Sequence, residues 1–118
     1  MGDLPILSPA QVQETVRQLH DGMTILFPGE VMDVILYGSY ARGEAQPGSD
    51  LDVMVLLDTS REDIAKRKWD ISGIGFELSL DCGVMVSLFV ENRTFFQTFL
   101  PALPFFQNVS KEGIRFYG

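Results

Sequence analysis

Apolar positions along this chain change their period from stretch to stretch, and those changes divide it into elements. Val12, Val16, Leu19, Met23 and Leu26 recur at three- and four-residue spacing, with Gln13, Glu14, Arg17 and Gln18 off the stripe. That pattern predicts an amphipathic helix. Ser8-Pro9-Ala10-Gln11 is its start signal: serine as N-cap, proline at the first helical position, glutamine in the capping-box slot. Pro28-Gly29 ends it. Val31 to Tyr37 is then an apolar, β-branched run interrupted by Asp33, and it predicts a strand. A second strand is predicted over Leu51 to Leu57. There Leu51, Val53, Val55 and Leu57 make one apolar face, while the other begins as Asp50 and Asp52 and continues as Met54 and Leu56. The acids therefore belong at a rim of the sheet.

Thr59, three residues before Glu62, has the spacing of another N-cap and predicts a helix running towards Leu80. It carries Ile64, Trp69, Ile71, Ile74, Leu78 and Leu80, with Gly73 and Gly75 inside it marking close packing or a kink. Cys82-Gly83 is its stop, and Val84 to Val90 a third strand. Asn92 caps a short helix bearing Phe95, Phe96, Phe99 and Leu100, which Pro101 and Pro104 break. Phe105, Phe106 and Val109 define another helical turn or two, stopped by Gly113 before Ile114-Arg115-Phe116-Tyr117. Five phenylalanines between 95 and 106 exceed what so small a chain readily buries, so part of this segment is expected to be an exposed partner surface.

Between the first two strands lies Gly38-Ser39-Tyr40-Ala41-Arg42-Gly43, with a short helix over roughly Tyr40 to Glu44. The loop Gln46-Pro47-Gly48 and then Ser49-Asp50-Leu51-Asp52 follow. Gly38 lets the backbone approach a ligand closely. Ser39 adds a hydroxyl and opens the short helix, whose free N–H groups suit a phosphate. Side chains two apart on a strand point to one face with Cα atoms roughly 6.5 Å apart, so Asp50 and Asp52 can aim both carboxylates at one point. One or two Mg²⁺ ions on a triphosphate require that arrangement. Taken singly, Gly-Ser after a strand is an ordinary turn and Ser-Asp-x-Asp an ordinary solvated loop.

Composition narrows the field. The chain has 118 residues, enough for one domain, 1–118, with a modest core. Nine basic against sixteen acidic residues give a net charge of −7. That field repels polyanions, and long DNA or RNA is not an expected partner. Lys66-Arg67-Lys68 with Arg61 reads as the exposed side of a helix. The single cysteine, Cys82, allows no internal disulfide and no zinc cluster, and reads as a small half-buried hydrophobe. The single histidine, His20, reads as a surface residue of the first helix. No apolar run approaches a membrane span, and Met1-Gly2-Asp3-Leu4-Pro5 does not open a secretory signal, so a cytoplasmic location is expected.

The assembled pattern, Gly-Ser-x-Ala-Arg-Gly-x(5)-Ser-Asp-x-Asp, resembles the nucleotidyltransferase superfamily with the polymerase-β-like fold, and in particular its small stand-alone minimal nucleotidyltransferases. The resemblance is strongest over Leu36 to Leu57. It implies an α/β (α+β) fold: a small mixed β-sheet with helices packed on one side. It also implies transfer of a nucleoside monophosphate from a nucleoside triphosphate to a hydroxyl, with release of pyrophosphate. Gly38, Ser39, Arg42 and Ser49 would bind the nucleotide, and Asp50 and Asp52 would serve as catalytic residues and Mg²⁺ ligands. Arg42 fits equally a phosphate contact and a salt bridge to an acid of the fold. The tail Lys111-Glu112-Gly113-Ile114-x-x-Tyr117-Gly118 also looks like that of many short relatives.

One departure stands out. The family adds a third carboxylate from the strand after the long helix, and here that strand offers only Ser87. Asp81 or Glu91 could substitute from a shifted position, two carboxylates could suffice for slower turnover, or the chain could bind nucleotide without turning it over. Members of this size often work beside a small helical partner in an arrangement resembling a toxin–antitoxin pair. That partner and a second copy of the chain are therefore the protein partners left open. Aminoglycoside-modifying enzymes are similar at the motif but longer, with an acceptor-binding domain.

Overall fold

The computed structural model describes residues 4–118, whose four strands form one mixed sheet in the order β3-β2-β1-β4. Strand β1 (Val31–Tyr37) and strand β2 (Leu51–Leu57) run antiparallel, with Tyr37 opposite Asp52. Strand β3 (Val86–Asn92) lies parallel to β2, with Ser87 opposite Asp52. A parallel neighbour needs a crossover, and α3 (Arg61–Lys66) with α4 (Lys68–Cys82) supplies it. The tail adds strand β4 (Ile114–Tyr117) to the free side of β1.

Alternation along the strands sends apolar side chains to both faces. Val34, Leu36, Leu51, Val53, Val55 and Leu57 pack against Val12, Val16, Leu19 and Met23 of α1 (Pro9–Leu26), Ile64 of α3, and Ile71 and Leu78 of α4. On the other face Ile35, Met54 and Leu56 meet Phe96 of α5 (Arg93–Phe99) and Phe106 and Val109 of α6 (Pro104–Glu112). The long helices share one side of the sheet as expected, and the two short aromatic ones close part of the other. Each fully buried aliphatic side chain contributes about 1.5–3 kcal/mol of transfer free energy.

Several local expectations hold atom by atom. The Ser8 hydroxyl oxygen accepts from Gln11 N at 3.2 Å, and Gln11 Oε1 accepts from Ser8 N at 2.8 Å, closing the capping box. Asn92 Oδ1 accepts from Phe95 N at 2.8 Å and starts α5. Gly83, at φ 85°, is the left-handed C-cap of α4. Cys82 is half-buried there.

Others are corrected. The helix expected from Thr59 to Leu80 is two helices broken at Arg67. Ser60 is the N-cap, accepting from Asp63 N at 3.1 Å, while Thr59 is buried and donates to Glu30 Oε2 at 2.6 Å. Gly73 and Gly75 kink nothing. A Cβ on Gly75 would stand 3.9 Å from Leu88 Cβ, an ordinary contact, and one on Gly73 would meet nothing within 4 Å, so close packing demands neither glycine. Trp69 and Leu80 are not core residues, being 78% and 67% exposed. They share a 69-73-76-80 row, roughly opposite the buried 71-75-78 row, on a helix apolar on both sides. Strand β3 begins two residues later than expected because residues 84 and 85 complete the turn after Gly83. The short helix α2 (Ser39–Arg42) begins at Ser39 and is stopped by Gly43 at φ 71°.

The phenylalanine-rich segment mostly packs on itself. Phe96 and Phe106 are buried, with ring centroids 4.8 Å apart, Phe95 is half-buried, and Phe99 and Phe105 are exposed. The larger exposed apolar surface is on α4 and the turn after it: Trp69, Phe76, Leu80 and Met85. His20 stacks on Tyr117 at 3.8 Å and ties β4 to α1. Among the described residues no helix is long and apolar enough to cross a membrane.

Candidate active site

Register brings the chemistry together at one rim of the sheet. Tyr37, Asp52 and Ser87 form a row across β1, β2 and β3, all pointing to the face that α6 partly covers. Asp50 precedes β2 by one residue and shares that face by the two-residue period. Here Gly38, Ser39, Arg42, Ser49, Asp50 and Asp52 line a cleft of about 390 Å³, together with Tyr37, Phe105, Asn108, Val109 and Glu112. Every residue singled out as catalytic or nucleotide-binding in the sequence therefore lines one cavity. A larger hollow of about 560 Å³ lies between α4 and β3, but its lining includes no charged side chain.

Gly38 is required by geometry rather than by flexibility. Its φ is 77°, and a Cβ there would run into the Asp52 carboxylate. Turn and acid thus touch directly. Ser39 opens α2, a single helical turn. Ser49 lines the cleft while its hydroxyl oxygen accepts from Gln46 N at 2.9 Å, so it also closes the preceding loop.

Electrostatics follow from this crowding. Burial first, and then repulsion from Asp50, push the Asp52 carboxyl above its usual value; the Ser87 hydroxyl and Arg42 pull the other way. Burial and the Asp52 charge raise the Tyr37 hydroxyl to about 12, so it stays protonated. Two crowded carboxylates in a cleft are the donor set that a hard divalent cation favours, and they fit Mg²⁺. Among the described residues no cluster of three or more metal-ligating side chains forms. Such an ion would therefore take its remaining oxygens from phosphate and water.

The two acids weighed as substitutes for the missing carboxylate do not reach the site. Glu91 is opposite Leu56, roughly 13 Å along the strand from the Asp52 row. There it is buried, accepting from Asn92 N at 2.7 Å and pairing with Arg61 at 3.2 Å. Asp81 lines a different hollow, between α1 and α4. Ser87 alone occupies the position beside Asp52.

Sequence reasoning missed Glu112 as a site residue. At the end of α6 its Oε1 accepts from Gly38 N at 3.2 Å, and its Oε2 pairs with Arg42 Nη1 at 3.0 Å. Of the two readings of Arg42, the salt bridge is present, with Glu44 at 3.4 Å as a second partner. These bonds hold the Glu112 carboxyl below its usual range, Arg42 contributing most. The only signal in the sequence was an acid in a tail resembling that of short nucleotidyltransferases.

Comparison with known proteins agrees with this geometry. The sequence model of the family described as "Nucleotidyltransferase domain" matches residues 14–112. Two proteins of Methanocaldococcus jannaschii, each named "putative protein adenylyltransferase", are similar to the chain. One is 27% identical over 76% of this chain and 89% of its own length; the other is 25% identical over 89% and 97%. Among solved structures, a protein of Sulfolobus solfataricus described as a "putative nucleotidyltransferase" superposes with a TM-score of 0.61 at 16% identity, covering 91% of this chain and 80% of that one. A toxin–antitoxin complex with AMP-PNP gives 0.59 at 21%, covering 87% and 73%. A complex of a tri-AMPylated Shewanella oneidensis HEPN toxin with its MNT antitoxin gives 0.55 at 20%, covering 92% and 71%. At these identities the structures show the shared fold.

Proposed function

This chain belongs to the nucleotidyltransferase domain family, and on that premise we propose that it is a Mg²⁺-dependent nucleotidyltransferase. It would transfer a nucleoside monophosphate from a triphosphate to a hydroxyl of a protein or small molecule, as the antitoxin-like half of a two-protein module. The observation that carries this reading is the shared cleft, where the Gly38 turn lies directly against Asp52. In this reading Gly38, Ser39 and Arg42 bind the phosphates, and Ser49 keeps the loop before Asp50 in place. Asp50 and Asp52 hold Mg²⁺, which would neutralise charge developing on the leaving pyrophosphate.

The acceptor oxygen bonds to the α-phosphorus as the bond from that phosphorus to the bridging oxygen breaks, releasing pyrophosphate. With Ser87 opposite Asp52, β3 offers no carboxylate there to take the acceptor's proton. The proton passes to water, and the chemical step is slow. The names of the relatives and structural neighbours support adenylyl transfer to a partner protein. The exposed Trp69, Phe76, Leu80 and Met85 support a seat for that partner on α4 and the turn after it.

Ser87 also favours a second reading, a module that binds nucleotide and partner without turnover. Incubation with labelled ATP, CTP, GTP and UTP plus Mg²⁺, with and without the partner, separates the two. Pyrophosphate release that falls at least about 100-fold in Asp52→Asn supports the enzyme. Binding of nucleotide with no release in any combination supports the module.

A further inference from the structure

Glu112 does something that a third metal-binding acid would not. Its two oxygens bridge a backbone amide, Gly38 N–H, and a guanidinium, Arg42. Those are two of the donors assigned above to phosphate, and one anion spans both, as a phosphate with two oxygens would. The anion subsite of this turn is therefore filled by the chain's own carboxylate.

The alternative is a plain staple holding α6 against α2. Magnitudes argue against it. Side chains that are 41% and 25% exposed, as in this pair, form solvent-screened ion pairs that contribute little to stability. Glu112 is also the last residue of α6, where the helix dipole disfavours a negative charge. A weak pair at an unfavourable helix position is a poor staple and an easily exchanged ligand. Its backbone, in contrast, is held firmly. A Cβ at the next residue, Gly113, would collide with Val109 O and come within 2.6 Å of Ile35 Cγ2, so the chain there lies tight on β1. The carboxylate can leave by side-chain rotation alone.

We infer that Glu112 is a displaceable internal anion that holds the place of a phosphate between Gly38 and Arg42. Binding a polyphosphate exchanges it, so this residue sets the affinity for polyphosphate chains without contributing to recognition of the nucleoside. The inference rests on the nucleotide reading above. It assigns a specificity-determining role to a residue outside the Gly-Ser and Asp-x-Asp motif.

Calorimetric titration of Glu112→Gln and Glu112→Ala with tripolyphosphate, ATP and AMP in Mg²⁺ tests it. Both variants should bind tripolyphosphate and ATP on the order of 10-fold more tightly than the wild type, with AMP unchanged. Melting curves check that the variants fold. In the unmodified protein, the carboxyl carbon resonance of Glu112 should move to the position of a free glutamate on adding tripolyphosphate, and not on adding AMP. If wild type binds ATP and the variants bind it equally or more weakly, Glu112 merely positions Arg42 and this inference falls while the nucleotide reading stands. If neither wild type nor variants bind any of the three, both fall.

Discussion

At the scale of single residues, the site is built from conflicts that an ordinary surface would avoid. Asp52 is the clearest. Burial and Asp50 raise its pKa in the folded chain, so folding disfavours its ionised form. The linkage then has a definite sign. The folded state is unpenalised below the unfolded value near 3.8, and it loses stability as pH rises through the folded value, leaving the full cost at neutral pH. In Mg²⁺-free buffer Asp52→Asn should therefore melt higher than wild type at pH 7. Solvent screening of this half-buried group keeps the gain to about a few tenths of a kcal/mol, and it should vanish near pH 4. Equal melting at both pH values would mean the acid is not strained. Gly38 shows the same economy in the backbone: alanine there must hold a positive φ and push the Asp52 carboxylate aside. Gly38→Ala should lose about 1–3 kcal/mol by chemical denaturation, together with nucleotide binding.

At the scale of elements, the site is held by the register of three strands and by the tail that closes on them. Asp33, 2% exposed on β1, pairs with Arg93 at the start of α5 (3.2 Å) and with Arg115 on β4 (3.3 Å). One buried acid thus pins both flanks of α6, the helix that carries Glu112. Asp33→Asn should cost about 1–3 kcal/mol in denaturant unfolding, and a loss below about 0.3 kcal/mol would contradict this role.

Much of this scaffold was legible from pattern. The Ser8 capping box, the β1 and β2 runs, the Asn92 cap and the Gly83 stop are local signals, and they appear where local chemistry put them. The misses share a cause, which is that tertiary packing chooses among local options. Ser60 and Thr59 are both competent caps, and the buried Glu30 bond claims Thr59. Apolar residues on two sides of α4 could not say which side is buried. Glu91 and Asp81 were near the site only in sequence, whereas Glu112 reaches it from 74 residues beyond Gly38. Such a contact has no signature in spacing.

At the scale of the whole molecule, charge and exposure set what can approach. The chain carries −7 overall. In the cleft the lining acids Asp50, Asp52 and Glu112 outnumber its one cation, Arg42, so an unaccompanied triphosphate meets net repulsion. Away from the cleft, α4 turns Trp69 outward, 78% exposed and the only tryptophan. Its fluorescence in dilute solution should be that of a solvated indole, readily quenched by iodide, and should shift to the blue when a partner covers α4. Shielded emission in the isolated chain at low concentration would place the uncovered surface elsewhere.

The central claim is that a divalent cation joins Asp50 and Asp52 to a polyphosphate seated on the Gly38 turn. The most direct test is to titrate ATP into the wild type and into Asp50→Asn and Asp52→Asn, in Mg²⁺ and again in EDTA. The account predicts binding to the wild type that weakens at least about 10-fold without Mg²⁺, and a loss of that dependence in both variants. ATP affinity that is the same in EDTA, or that both variants retain together with its Mg²⁺ dependence, would contradict it.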